Sequence, residues 1–127
     1  MKGSIISGAI HGFLVVALGA FGAHALDNVL DEYGIGIWEK AVQYQMFHAI
    51  GIVAIGILMS PKLFGSIKQL RIAAICMNLG IVFFSGSLYI LALSGIGILG
   101  AITPIGGVLF LIGWVLLLVA TLKHKNS

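Results

Sequence analysis

Residues 72–122 read IAAICMNLGIVFFSGSLYILALSGIGILGAITPIGGVLFLIGWVLLLVATL and contain no Asp, Glu, Lys or Arg. About 20 apolar helical residues cross a hydrocarbon core that is ~30 Å thick. The stretch is therefore too long for one crossing and fits two. Glycines cluster between Ser94 and Thr103, and this cluster marks the turn between the crossings. Thr103 and Pro104 are typical of a helix start, because Thr caps free amides and Pro loses no needed hydrogen bond.

Two further charge-free stretches, residues 3–26 and 41–61, each fit one crossing. Hydrophobic residues make up 60% of the 127 residues and charged residues only 9%, which excludes a soluble domain of this size. The sequence predicts a single all-α domain, an integral membrane four-helix transmembrane bundle. Its helices are expected at residues 4–25, 40–59, 71–93 and 104–122.

Charged residues are segregated along the chain. All four acidic residues lie between residues 27 and 39, whereas six of the seven basic residues lie in three other segments. Because Lys and Arg favour the cytoplasmic side of short loops, both termini are predicted in the cytoplasm. Residues 26–39 then form the outer loop and residues 60–71 the cytoplasmic loop. The exception, Lys40, lies beside Glu39 at the outer interface. The segregated basic residues are Lys2, Lys62, Lys68, Arg71, Lys123 and Lys125.

This orientation accounts for the net charge of +3, so no nucleic-acid partner is predicted. The cytoplasmic loop carries apolar side chains between its cations and is expected to lie against anionic lipid headgroups. In the outer loop, Leu30, Tyr33 and Ile37 have helical spacing and Trp38 follows, which favours a short interfacial turn.

A competing interpretation makes residues 1–26 a cleavable signal peptide, with Ala23-His24-Ala25 as the cleavage site. It is less favoured, because the apolar run is longer than the apolar region of a signal peptide, which usually has about 7–15 residues. Cleavage would also leave three helices and place the basic tail on the other side of the membrane.

The chain holds 18 glycines, about twice the usual share. Within a bilayer, small residues let helices approach closely, so the glycines are predicted to pack the helices of the monomer. A dimerisation face is the alternative. The predicted packing positions are Gly8, Gly12, Gly19, Gly22, Gly106 and Gly113.

Polar residues within the spans are expected to face the bundle interior and to find partners there. Matching helical depth at about 1.5 Å per residue places His11 level with Asn78. Tyr44 and His48 share one face of the second helix because they are four residues apart. The sequence thus predicts a hydrogen-bonded polar core centred on His48.

Little in the sequence points to catalysis. The span histidines are predicted at three different depths, so haem ligation is weakly supported, and no Cys or carboxylate joins them in a metal site. Ser85 and Ser87 lack a matched His-Asp arrangement. Cys76 is expected to be a buried thiol. No catalytic residue, metal or cofactor is predicted, and an enzyme is the least favoured class.

Several segments resemble the YgdD/YwdK family, a bacterial family of small membrane proteins of unknown function. The segments that carry the resemblance are Gly19–Leu26, Tyr44–Ala49, Phe84–Tyr89, Thr103–Gly107 and Gly113-Trp114. The resemblance covers essentially the whole chain and implies a four-helix multi-pass membrane protein. It supplies no substrate or cofactor. Together with the depth matching, it gives a candidate polar core or ligand site of His24, Tyr44, Gln45, His48, Ser85 and Tyr89.

The function predicted from the sequence is a multi-pass protein of the bacterial plasma membrane. It is expected to be non-enzymatic and to bind membrane lipids, a membrane protein partner or a second copy of itself. The alternative is a small transporter or channel component that works as an oligomer. Whether the His48 region is a cavity or a solid polar core stays open.

Overall fold

The computed structural model describes residues 1–124, and its regular elements are all helical. The α-helices are α1 (Lys2–His24), α2 (Glu32–Leu58), α3 (Lys68–Ser94) and α4 (Thr103–Lys123). A 3₁₀ helix (Gly97–Ala101) precedes α4. Four helical segments of the described chain are long and apolar enough to cross a membrane. The prediction of four spanning helices is confirmed.

Helix α2 begins at Glu32, well before the predicted start at residue 40. The carboxylate of Asp31 accepts a hydrogen bond from the Gly34 amide at 2.7 Å and caps the helix. The predicted outer loop of residues 26–39 is therefore mostly helix. The predicted start at residue 40 is set by the point where the charged residues end and the apolar stretch begins. A helix can extend beyond the hydrocarbon core when a cap supports its end. The predicted turn around Tyr33 is part of this helix.

Neighbouring helices in the chain provide the main interhelical contacts: α1 packs on α2, α2 on α3, and α3 on α4. Ile52 and Ile55 of α2 and Leu70 and Met77 of α3 are fully buried in the core. The central pair α2–α3 thus carries the core, and α1 and α4 flank it.

One end of the bundle gathers three parts of the chain. A Cβ on Gly56 would lie 3.2 Å from the Met1 carbonyl oxygen, so the start of α1 touches the end of α2. The ring of Phe64 stacks on His124 at a centroid distance of 4.2 Å, which joins the α2–α3 connection to the end of α4. The basic segments up to Lys123 therefore share one end; Lys125 lies outside the described residues.

Glycines mark the places where helix backbones meet. A Cβ on Gly106 would lie 2.8 Å from the Gly80 carbonyl oxygen, and one on Gly8 would lie 3.0 Å from that of Ala49. A Cβ on Gly113 would lie 2.9 Å from a side-chain carbon of Met77. The absence of a side chain lets α4 approach α3, and α1 approach α2, within ordinary backbone contact distance.

The other predicted packing positions differ among themselves. Gly22 accommodates the Trp38 indole, and Gly19 has only an ordinary contact with Val42 at 3.5 Å. A Cβ on Gly12 would meet nothing within 4 Å, so this glycine is not needed for helix contact in the monomer. Close contacts at Gly51, Gly56 and Gly80 were not among the predicted positions.

Candidate functional site

His48 lies in the middle of α2 and is only 3% exposed. Its Nδ1 lies 2.8 Å from the Tyr44 carbonyl oxygen, one helical turn earlier. The indole N–H of Trp114 in α4 donates to its Nε2 at 3.0 Å. Since a carbonyl only accepts and an indole only donates, the ring is neutral and carries its proton on Nδ1. Its face stacks on Phe110 at 3.5 Å between centroids.

A second polar network joins α1, α2 and α3 through His11. Nε2 of His11 lies 3.0 Å from the Asn78 amide oxygen, and its Nδ1 lies 3.3 Å from the Gln45 amide nitrogen. Tyr89 donates its hydroxyl to the Gln45 oxygen at 2.7 Å. The Asn78 amide nitrogen donates to Ser7 Oγ at 3.2 Å and to a backbone carbonyl of its own helix.

One proton assignment satisfies the whole second network. The donors then point in one direction, from Tyr89 through Gln45, His11 and Asn78 to Ser7, which donates to the Ser4 carbonyl at 3.1 Å. This order requires His11 to carry its proton on Nε2. Aligned donors polarise one another, which strengthens the chain.

The residues that make up this second network favour a structural role over proton transfer. Its links include the amides of Gln45 and Asn78, and a side-chain amide has no titrating proton in the physiological range. A proton moving from Tyr89 toward Ser7 would have to pass both amides. The network therefore ties three helices together in the hydrocarbon region, where unpaired polar groups are costly.

Ser85 and Ser87 pair with backbone carbonyls, and Ser87 also pairs with a threonine hydroxyl. Ser85 is fully buried and donates to the Ala41 carbonyl at 2.8 Å, which links α3 to α2. Ser87 lies 2.6 Å from the Thr103 hydroxyl and donates to the Phe84 carbonyl. These hydroxyls bond to no histidine within residues 1–124, so they do not form the arrangement of a serine nucleophile.

The six predicted site residues fall into separate places. Gln45 and Tyr89 bond to each other, His48 bonds to the Tyr44 backbone, and Ser85 stands between α2 and α3. His24 is exposed at the end of α1, and within residues 1–124 its side chain has no hydrogen-bond partner. The predicted single core around His48 is therefore two networks, one joining α1, α2 and α3 and one joining α2 to α4.

Sequence reasoning placed His11 level with Asn78, and the two side chains bond. It missed Trp114 and Phe110 as partners of His48. A signal was available: an indole N–H within a span needs an acceptor, and Phe110 lies one helical turn before Trp114 on the same face of α4.

Beside His48 a groove of about 790 Å³ runs between α2 and α4. Five aromatic side chains line it together with aliphatic residues, and Gln43 and Tyr44 supply polar groups at one end. Tyr44 is 39% exposed, and among the described residues its hydroxyl has no hydrogen-bond partner. The remaining lining residues are Met46, Phe47, His48, Phe84, Pro104, Gly107, Val108, Phe110, Leu111 and Trp114.

Metal chemistry has no support in the geometry of the described chain. Within residues 1–124 no group of three or more His, Cys, Asp or Glu side chains converges as metal ligands. Both ring nitrogens of His11 and of His48 are engaged by protein groups, so axial ligation by either would break an existing hydrogen bond.

Comparison with known proteins identifies the family. The model of the DUF423 family, described as a protein of unknown function, matches residues 18–107. The chain belongs to this family. A UPF0382 membrane protein of Staphylococcus epidermidis is 51% identical over 126 residues, which are 99% of this chain and 100% of that protein. The UPF0382 membrane protein YwdK of Bacillus subtilis is 48% identical over 124 residues, covering 98% of this chain and 99% of YwdK.

These relatives confirm the resemblance to the YgdD/YwdK family. Their names also agree with the four spanning helices, so this DUF423 protein is a membrane protein. The comparison with solved structures gave no match.

The two networks predict opposite histidine tautomers. We expect His11 to be protonated on Nε2 and His48 on Nδ1, because the partners of each ring allow only that arrangement. Nitrogen-15 NMR of histidine-labelled protein distinguishes the tautomers, and His11→Gln and His48→Gln variants assign the signals. The same tautomer at both positions would contradict the two-network description.

Proposed function

We propose that this DUF423 protein is a non-catalytic lipid-binding membrane protein. The groove between α2 and α4 holds one apolar chain of a bilayer lipid. The observation that carries this proposal is the combination of a wide aromatic groove with a Tyr44 hydroxyl that the described protein leaves without a partner. The volume of the groove, about 790 Å³, lies in the range of ordinary small-molecule sites.

The groove has a polar end and an apolar end. Tyr44 stacks on Phe84 at 4.3 Å between centroids, near the start of α4, and Gln43 lies beside it. Deeper along α2 and α4, Phe47 and Trp114 pack at 5.2 Å. This polarity matches a lipid whose polar region lies near Tyr44 and Gln43 and whose chain runs toward Trp114.

The hydrogen bonding of the spans supports binding rather than catalysis or transport. His48, His11, Gln45 and Asn78 have their polar atoms engaged by protein partners. A transport path would need polar groups that are free to meet a solute or water. The Tyr44 hydroxyl, which no group of the described chain engages, instead stands at the end of an apolar groove, where a lipid headgroup region is expected.

Filling the groove should weaken lipid retention. Gly107 lines the groove, and a Cβ there would meet only Phe84, at 4.0 Å, so Gly107→Leu adds bulk without forcing the helices apart. Displacing about two methylenes of a bound chain lowers affinity about tenfold, at ~0.8 kcal/mol each. Native mass spectrometry with dioleoyl-phosphatidylcholine in mild detergent measures the retained lipid.

The matched control is Gly12→Leu, which makes the same change on α1, where a Cβ would meet nothing within 4 Å. This variant should retain lipid as the unmodified protein does. Equal retention by Gly107→Leu and the unmodified protein would contradict the groove as the binding site.

We infer further that both termini of the chain are cytoplasmic, in a bacterial plasma membrane. Two observations support this orientation. The basic segments of the described chain share one end of the bundle, and the acidic residues Asp27, Asp31 and Glu32 lie around the α1–α2 connection. Lys and Arg in short loops favour the cytoplasmic side.

Reporter fusions test this orientation. Asn28 lies in the connection between α1 and α2, so alkaline phosphatase fused there should be active outside the cytoplasm. Phosphatase fused after the C-terminus should be inactive, whereas green fluorescent protein fused there should fluoresce. Active phosphatase at the C-terminus together with inactive phosphatase at Asn28 would reverse the orientation.

A further inference from the structure

A second cavity, of about 400 Å³, lies at the basic end of the bundle, away from the groove. The first turns of α1 form one wall, and the start of α3 with Ser66 forms another. Its polar lining consists of three hydroxyls, one amide and one guanidinium, with no carboxylate. The polar lining residues are Ser4, Ser7, Ser66, Arg71 and Asn78.

Arg71 is held at this cavity by the protein backbone. One guanidinium N–H donates to the Ser66 carbonyl at 2.6 Å, across the connection that precedes α3. A guanidinium carries five N–H donors, so this bond fixes the side chain and leaves the others available. Free, fixed donors of this kind suit the oxygens of a phosphate group.

The chain supplies no carboxylate side chain at this end to neutralise Arg71. Its four acidic residues all lie between Asp27 and Glu39, and that segment connects α1 to α2 at the opposite end of both helices. The neighbouring charged side chains on α1 and α3, Lys2 and Lys68, are cations as well. An anion from outside the chain would therefore relieve repulsion among these cations.

We propose that this cavity is a binding site for the phosphate of an anionic phospholipid, contacted by the Arg71 guanidinium and the Ser4 hydroxyl. Amide N–H groups in the first turn of α1, where Gly3 and Ser4 line the cavity, add further donors for an anion. This site is separate from the α2–α4 groove and does not depend on the lipid proposed there.

The surroundings of the cavity favour a lipid over a free phosphate ion. Its wall includes Ile75, which lies one turn deeper in α3 than Arg71 and is 56% exposed. The polar cavity thus opens onto the apolar surface that faces the hydrocarbon. A phospholipid fits both parts, with its phosphate at Arg71 and its chain along Ile75.

The test compares two lipids on the full chain. Native mass spectrometry in mild detergent measures retention of dioleoyl-phosphatidylglycerol and of dioleoyl-phosphatidylcholine. The unmodified protein should prefer phosphatidylglycerol, and Arg71→Gln should reduce its retention about tenfold or more, as expected for loss of charge-assisted hydrogen bonds. Retention of phosphatidylcholine by Arg71→Gln should stay unchanged. The groove variant Gly107→Leu, by contrast, should lower the retention of both lipids.

Two further variants separate binding in the cavity from a general effect of positive charge. Lys62→Gln removes a cation from the same end but outside the cavity, and it should change retention only about twofold. Ser4→Leu fills the cavity while leaving Arg71 and its bond to Ser66 in place, and it should lower phosphatidylglycerol retention about as much as Arg71→Gln.

Three results would overturn the proposal. One is equal loss in Lys62→Gln and Arg71→Gln, which would show a general charge effect. Another is full retention by Ser4→Leu. The third is displacement of bound phosphatidylglycerol by inorganic phosphate, because the site would then recognise a soluble anion rather than a lipid.

Discussion

The structure depends on one constraint: residues 3–26, 41–61 and 72–122, which form the membrane-crossing parts of the helices, contain no Asp, Glu, Lys or Arg. Polar side chains in hydrocarbon must therefore satisfy one another or the backbone. The described chain does this mainly through His11, which joins α1, α2 and α3, and through His48, which joins α2 and α4. Ser85, which donates to the Ala41 carbonyl, adds a further link between α3 and α2. Each histidine uses both ring nitrogens, so neither bond can be lost without leaving a polar atom unpaired.

Glycines make these hydrogen bonds geometrically feasible. Gly8 lets α1 approach α2, and Gly106 and Gly113 let α4 approach α3, which brings the side chains of the flanking helices within reach of the central pair. Interhelical hydrogen bonds in membranes are modest individually, so close backbone packing and polar pairing have to act together. The groove and the basic cavity are the places where neither packing nor pairing is complete, and both proposals concern these places.

The number of helices followed from charge, because a charge within a span is costly and its absence marks the span. The start of α2 did not follow, since it depends on the Asp31 cap and not on apolarity. Depth matching found His11 with Asn78, because rise per residue fixes depth. It could not find the Trp114–His48 bond, because rotation about each helix axis decides which faces meet, and glycine contacts set that rotation.

The most direct test of polar pairing as the organising interaction is a double-mutant cycle on His11 and Asn78, with unfolding free energies measured in bilayers. The variants are His11→Ala, Asn78→Ala and the double variant. We expect a coupling energy of about 0.6–1.7 kcal/mol, the range of interhelical hydrogen bonds in membranes. The control pair is His24→Ala with Asn78→Ala, whose side chains do not bond and whose effects should be additive. Strictly additive effects of His11→Ala and Asn78→Ala, with no more coupling than the control pair shows, would contradict the account.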